Sequence, residues 1–222
     1  RHMTPVILLA DGYLSNAAEP WQIPELASFD PIEHNAPPAL DDGDQVQELA
    51  FSRDAQSYGR PWITPGMPGL MYRVGGLEKD ITTGHISYDP QNHERMTALR
   101  AAKVDSVADR IPDQTIELGP DAGKLVIVGW GSTYGPIYQA ANKTGVSFVH
   151  LRHLNPLPRN LGDLLGRFEK ILVPEMNNGQ LVTLLRDKLG VDPVSLTKIS
   201  GQPFLINELV ARVEAELGST AK

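Results

Sequence analysis

Val126 to Gly135 reads VIVGWGSTYG. The apolar run Leu125 to Val128 reads as a buried strand. It ends in Gly129, Gly131 and Gly135, with Trp130, Ser132, Thr133 and Tyr134 between them. A helix is expected next, with Ser132 or Thr133 capping its first amides and Pro136 tolerated in its first turn. Strand, glycine turn and helix open a βαβ unit. In an open parallel sheet, ligands sit in the crevice at the carboxyl ends of the strands.

The pattern repeats after this stretch. Ile137, Ala140 and Ala141 line one face of the first helix, and Gly145 closes it in a left-handed cap. Val146 to Leu151 is the second strand, and Asn160 is expected to cap a short helix carrying Leu161, Leu164, Leu165 and Phe168. Ile171 to Val173 is the third strand. Asn177 or Asn178 caps a helix built on Leu181, Leu184, Leu185 and Leu189, and Glu175 beside them reads as part of the same cap. Val194 to Ile199 is the fourth strand, and the last helix packs Ile206, Leu209, Val210, Val213 and Leu217. Strands alternating with amphipathic helices predict an α/β fold with a mostly parallel twisted sheet flanked by helices. Ile116 and Leu118 form a short edge strand in this reading.

Composition narrows the function classes. The 222 residues are 41% hydrophobic and 21% charged, ordinary for a globular chain that buries a core. A net charge of -7 argues against nucleic acid or an anionic membrane as the main partner. No apolar run approaches the roughly 20 residues of a membrane span. There is no cysteine, which excludes disulfides, a cysteine nucleophile and an iron–sulfur cluster ligated by this chain; cytoplasm is the default compartment.

The first half is different in kind. Pro5 to Ala10, PVILLA, reads as a strand buried on both faces, which needs neighbours this chain does not offer before Lys124. The expectation is therefore a fragment, or a sheet completed by another chain. The segment from Asp30 to Asp44 is proline-rich and acidic and reads as a surface loop. Tyr58 to Ser87 carries Pro65, Gly66, Pro68, Gly69, Gly75, Gly76 and Gly84, too dense a punctuation for regular elements; so long a loop is functional or packs on a partner. Asp89-Pro90 opens a helix with an apolar stripe of Met96, Leu99, Val104, Val107 and Ile111.

Motif spacing disfavours several chemistries. A dinucleotide fingerprint needs G-x-G-x-x-G and an acid about 20 residues on. Here Tyr134 stands where the third glycine belongs, and the second strand ends in His150-Leu151-Arg152, although Arg152 could meet a 2′-phosphate. His85, Asp89, His93 and Glu94 cluster as conceivable metal ligands, but Asp89 as a helix cap is the more economical reading. No nucleophile elbow or P-loop lysine pattern is present. Arg73 and Glu78-Lys79-Asp80 on the glycine-rich arm read as solvated charges, or as groups that meet a carboxylate or pyrophosphate in a neighbouring subunit.

Six ordered motifs carry a resemblance. DGYLSNAAEPW (11–21), PGMPGLMYRVGGLEK (65–79), GHISYDPQNHERMTALRAAK (84–103), GWGSTYG (129–135), HLNPLP (153–158) and PEMNNGQL (174–181) together resemble the C-terminal part of the alpha subunit of 2-oxoacid:ferredoxin oxidoreductases, most closely the 2-oxoglutarate type. The resemblance implies a transketolase-like design. Residues 1–29 would end a pyrimidine-side domain, 30–114 would be an irregular arm with one helix, and 115–222 a transketolase C-terminal-like domain. The implied reaction is oxidative decarboxylation of a 2-oxoacid, 2-oxoglutarate before pyruvate, with coenzyme A taking the acyl group and electrons passing to ferredoxin. Thiamine diphosphate, magnesium and the iron–sulfur cluster would be held by the remaining alpha-subunit region or the beta subunit. This chain would be scaffold and subunit interface, silent by itself. If it reaches the reaction site, Asp11, Arg73, His85 and His93 are the expected contacts. Alanine at His85 or His93 would then lower turnover at least tenfold, about 1.4 kcal/mol. Two other readings compete. One is a non-catalytic assembly module, in which substitutions at Ser132, Thr133 and Tyr134 hurt subunit association. The other is a stand-alone nucleotide-binding protein, which predicts cofactor binding by the isolated chain.

Overall fold

The computed structural model describes residues 2–18, 20, 22–29, 31, 37, 40 and 43–218. In chain order its elements are α1 (Gly12–Asn16), α2 (Gly43–Phe51), α3 (Pro90–Asp105), β1 (Gly123–Trp130), α4 (Tyr134–Thr144), β2 (Ser147–Leu151), α5 (Leu161–Leu165), β3 (Phe168–Glu175), α6 (Gln180–Leu189), β4 (Val194–Thr197) and α7 (Ile206–Gly218). They fall into two compact units, Arg1–Ile7 with Glu19–Arg110, and Leu8–Ala18 with Ile111–Lys222.

The second unit holds the expected sheet. Its four strands run parallel in the order β2-β1-β3-β4. Successive residues of β1 feed opposite layers, because strand side chains alternate with period two. Val126 and Val128 pack with Leu161, Leu165, Leu181 and Leu185 under α5 and α6. Leu125 and Ile127 pack with Ile137, Ala140, Leu209 and Val213 under α4 and α7. Both faces are covered, which is why these strands read as unbroken apolar runs. Gly145 ends α4 at φ 70°, as its position predicted. The Ile116–Leu118 edge strand reduces to an isolated antiparallel bridge, Leu118 to Phe148.

The first unit is built on α2 and α3 with a long irregular connection between them. α2 was not expected; its Val46 and Ala50, four residues apart and buried, were the available signal. Asp89 caps α3, accepting from the Gln91 amide at 3.2 Å. Two buried carboxamides replace regular pairing in the loop. Gln47 accepts from the Arg73 amide (2.9 Å) and donates to the carbonyls of Gly84 (2.8 Å) and Arg73 (3.3 Å). Asn92 accepts from the Ile81 amide (3.0 Å) and donates to the Lys79 carbonyl (2.9 Å). Buried backbone groups need such partners when no ladder supplies them.

The strand expected at Pro5 to Ala10 is not formed: among the described residues no ladder pairs with it, and Val6, Ile7 and Leu8 are 84–89% exposed. An apolar run becomes a strand only where another strand meets its amides and carbonyls. Asp30, Pro38, Asp41 and Asp42 of the acidic loop lie outside the described residues.

Candidate functional site

The sheet unit reverses direction between β1 and β3. From β1 the chain crosses to β2 on one side, and from β2 it returns past β1 to β3 on the other. Neighbouring carboxyl ends at such a reversal leave a crevice between their following loops. A cavity of about 200 Å³ lies there, lined by Leu9, Ala10, Asp11, Trp130 to Thr133, Met176 and Asn177.

The post-β1 turn has the glycines it needs. A Cβ on Gly129 would stand 2.5 Å from Ile137 Cδ1 and 3.0 Å from Thr133 Oγ1, so any larger residue would push the Ile137 side chain aside where the strand end meets α4. Gly131 sits at φ 57°, where the chain leaves the strand. Neither hydroxyl caps α4 as expected. Thr133 has helical backbone angles (φ -75°, ψ -5°) because a 3-10 turn, Gly131–Thr133, already precedes the helix, so its side chain is not placed as a cap needs. Its hydroxyl instead donates to the Trp130 carbonyl at 2.8 Å. The Ser132 hydroxyl donates to Asp11 Oδ2 at 2.7 Å, across 121 positions of sequence.

The post-β3 side is held by a second carboxylate. Glu175 is fully buried and accepts from the amides of Leu181 (2.8 Å) and Val182 (3.1 Å) at the start of α6. Asn177 Oδ1 accepts from the amides of Gly179 (2.8 Å) and Gln180 (3.0 Å). Both polar side chains serve the start of α6, as the sequence suggests, with Gly179 as the N-cap residue; the full burial of Glu175 came only with the fold. Asn160 does not cap α5. Its side-chain amide brackets the backbone of Gln114, accepting from that amide (2.8 Å) and donating to its carbonyl (2.9 Å).

Beside the crevice, Tyr134 meets His150 edge-on with ring centroids 4.9 Å apart. Its hydroxyl donates to Glu117 (3.4 Å), which also pairs with Arg152. Burial, then the negative Glu117, raises the Tyr134 pKa. Burial, then the positive Arg152, lowers that of His150, whose Nδ1 has no hydrogen-bond partner among the described residues. Arg152 is thus committed to Glu117 in this structure.

The other expected contacts lie in the first unit, apart from Asp11. Arg73, His85 and His93 are exposed there. Arg73 is fixed by its backbone on Gln47, and the His85 carbonyl accepts from the Asp80 amide at 2.7 Å. His93 pairs with Glu78, which also takes Arg100 Nη1 at 2.8 Å; Arg100 first, then His93, lowers the Glu78 pKa. The arm charges are therefore not simply solvated: Glu78 is ion-paired, Asp80 binds the amides of Thr82 and Thr83, and Lys79 is buried. Among the described residues no group of three His, Asp or Glu stands ready for a metal ion.

Chemically, the crevice offers a carboxylate, a hydroxyl and a carboxamide around an indole and a thioether. Ser132 donates to a carboxylate and, among the described residues, bonds no histidine that could activate it, so the arrangement suits binding rather than nucleophilic attack. The cavity is below the roughly 300–1,000 Å³ of pockets that enclose drug-sized ligands.

Over 220 residues the chain is 43% identical to the 2-oxoglutarate oxidoreductase subunit KorA of Mycobacterium tuberculosis (strain ATCC 25618 / H37Rv). This chain is related to a 2-oxoglutarate oxidoreductase subunit. The match takes in 96% of this chain and 32% of that subunit, so the chain spans about a third of the relative's length. The resemblance read from the six motifs is borne out. The fold agrees as well. A solved 2-oxoglutarate:ferredoxin oxidoreductase from Magnetococcus marinus, with 2-oxoglutarate, coenzyme A and succinyl-CoA bound, superposes with a TM-score of 0.69 at 29% identity. That superposition covers 75% of this chain and 30% of the other. No family model matches the chain. No helix among the described residues is long and apolar enough to cross a membrane.

Proposed function

We propose that this chain is part of a heteromeric enzyme that oxidatively decarboxylates 2-oxoglutarate to succinyl-CoA and passes the electrons to ferredoxin. The observation that carries this is the 43% identity to KorA along nearly the whole chain. The ligands named with the solved relative support the choice of 2-oxoglutarate and coenzyme A.

In the whole enzyme, thiamine diphosphate supplies the decarboxylation chemistry and an iron–sulfur cluster carries the electrons away. This chain's own groups do not fit them. It has no cysteine for a cluster, and its crevice is too small to enclose thiamine diphosphate. The remaining alpha-subunit region and a beta subunit are the proposed holders of both, and of the magnesium. This chain's proposed share is scaffold and interface, with residues 115–222 as the transketolase C-terminal-like domain. Exposed Met71, Val74, Leu77 and Tyr88, on a loop whose backbone Gln47 and Asn92 hold in place, support an interface role. Asp11, Arg73, His85 and His93 are the proposed contacts to the reaction site.

The test is to isolate the particle carrying this chain and supply 2-oxoglutarate, coenzyme A and a dye acceptor. Succinyl-CoA formed in step with dye reduction supports the reading, and pyruvate serves as the competing substrate. No acyl-CoA from either acid refutes it. In the active particle, His85→Ala and His93→Ala are each expected to lower turnover at least tenfold; unchanged kinetics remove that residue from the site.

A further inference from the structure

The glycine-rich arm of the first unit holds a charge that its own carboxylates do not answer. Its two sides pair antiparallel: Lys79 bridges Ile86, the Asp80 amide donates to the His85 carbonyl (2.7 Å) and the Ser87 amide donates to the Glu78 carbonyl (3.1 Å). Facing residues of such a pair share a side, and successive residues alternate. Lys79 and Ile86 therefore belong to one face, and Glu78 and Ser87 to the other. By the same register Leu77 and Tyr88 stand opposite each other on the Lys79 face. Leu77, Ile86 and Tyr88 are exposed, as are Met71 and Val74 shortly before them in the chain.

Lys79 is the exception on this apolar face, being only 7% exposed. A Cβ on Gly75 would stand 3.1 Å from its Nζ, so the ammonium lies against the Gly75 backbone, next to Val74. Among the described residues no hydrogen bond or ion pair reaches that ammonium. The carboxylates on either side of it in sequence are committed elsewhere: Glu78 to Arg100 and His93, Asp80 to the amides of Thr82 and Thr83. The buried polar side-chain atoms without a partner among the described residues are His150 Nδ1 and Arg212 Nε, so Lys79 Nζ keeps an opening to solvent. Asn92 holds the Lys79 carbonyl at 2.9 Å, which fixes the residue that carries the charge. A charge largely withdrawn from water is costly unless an opposite charge meets it. An exposed apolar face gains free energy when it is covered. A carboxylate set among apolar side chains meets both needs at once.

We propose that the face formed by Met71, Val74, Leu77, Ile86 and Tyr88 docks an acidic, apolar segment of another polypeptide, whose Asp or Glu carboxylate takes the Lys79 ammonium. This names the partner chemistry of the interface role given above and rests on that reading. Charge complementarity selects the occupant. A basic segment would bring like charge to Lys79 and to exposed Arg73. A wholly apolar one would seal the ammonium from water with no counter-charge. The same face of a second copy of this chain presents the same cation and does not complete it.

The experiment uses the intact particle carrying this chain. A zero-length carbodiimide joins a carboxylate to an amine only where the two touch, and peptide mass spectrometry reads the join. An amide between Lys79 and an Asp or Glu of a different polypeptide is expected. Lys79→Met, which keeps the apolar stem and drops the charge, should weaken retention of this chain at least tenfold when the particle is diluted for native mass spectrometry. It should also flatten the dependence of retention on sodium chloride, and Lys79→Arg should restore most of both. Leu77→Ser, which leaves the charge in place, should weaken retention with the salt dependence kept. The cross-link in the parent particle needs no variant and decides if Lys79→Met does not fold. The proposal is overturned by the absence of a Lys79 cross-link, by a link only to a carboxylate of this chain or of a second copy, or by Lys79→Met particles that match the parent in retention and salt dependence. Turnover of 2-oxoglutarate by the same particle separates the two readings. A linked particle that forms no acyl-CoA refutes the oxidoreductase and keeps the docking face, and an active particle without the link does the reverse.

Discussion

Replacing Glu175 by alanine removes the group that joins β3 to α6. Its carboxylate is fully buried and its two oxygens take two separate helix amides, at 2.8 and 3.1 Å. Hydrogen bonds to a charged group contribute about 1.5–3 kcal/mol each, so two give roughly 3–6 kcal/mol. Helix N-terminal amides also favour a negative charge, by roughly 0.3–2 kcal/mol. Against this, the variant no longer buries a charge, which offsets several kcal/mol. The expected net loss is about 3 kcal/mol, close to a 10 °C fall in Tm for a unit of this size. Glu175→Gln keeps the shape and one acceptor but turns an NH2 toward an amide, so about 2 kcal/mol is expected. Urea unfolding followed by circular dichroism measures both, and hydrogen exchange at Leu181 and Val182 reads the helix end directly. A loss below about 1 kcal/mol for the alanine variant, with those amides still protected, would refute the carboxylate as the cap that holds α6. Asn177→Ala, which leaves Glu175 in place, should cost only about 1 kcal/mol.

Three further outcomes are expected. Gly129→Ala puts a methyl 2.5 Å from Ile137 Cδ1 and should destabilise the sheet unit by about 1–3 kcal/mol; an unchanged Tm contradicts the close approach. His150 is held below its ordinary pKa by burial, so the unfolded chain takes the proton first. Its contribution is therefore complete above about pH 6.5 and is lost as pH falls below that value. His150→Phe should flatten this part of the Tm–pH curve, and an unaltered slope assigns the pH dependence elsewhere. Gln47→Ala removes bonds to both Arg73 and Gly84 and should cost about 2–3 kcal/mol, with faster proteolysis within residues 70–88 as the readout. Equal cleavage rates would mean that the loop is held by other contacts.

Local pattern carried much of the fold. The apolar runs at Leu125 and Ile171, the leucines of α5 and α6 and the left-handed Gly145 were legible because period, propensity and backbone angle are properties of neighbouring residues. Capping was legible only in part. Asp89 caps as expected; Asn177 lies two residues before the N-cap Gly179 of α6 and reaches the Gln180 amide from there, while Thr133 and Asn160 turn their side chains to other backbone groups. A capping residue type says what a side chain can accept, and the φ, ψ and neighbours at that position decide whether it does. Helix α2 was overlooked because nine residues beside a proline-rich loop give a short periodic signal.

The sequence by itself determined a parallel α/β unit, the position of its glycine turn and, through six motifs, the family it resembles. Only the tertiary structure decided that β1 and β3 are neighbours whose loops make the crevice, and that Ser132 meets Asp11. It also showed that, among the described residues, PVILLA has no strand beside it. The reason is physical. Strand order and the burial of a charge depend on distances between residues far apart in the chain, and no local period encodes those distances.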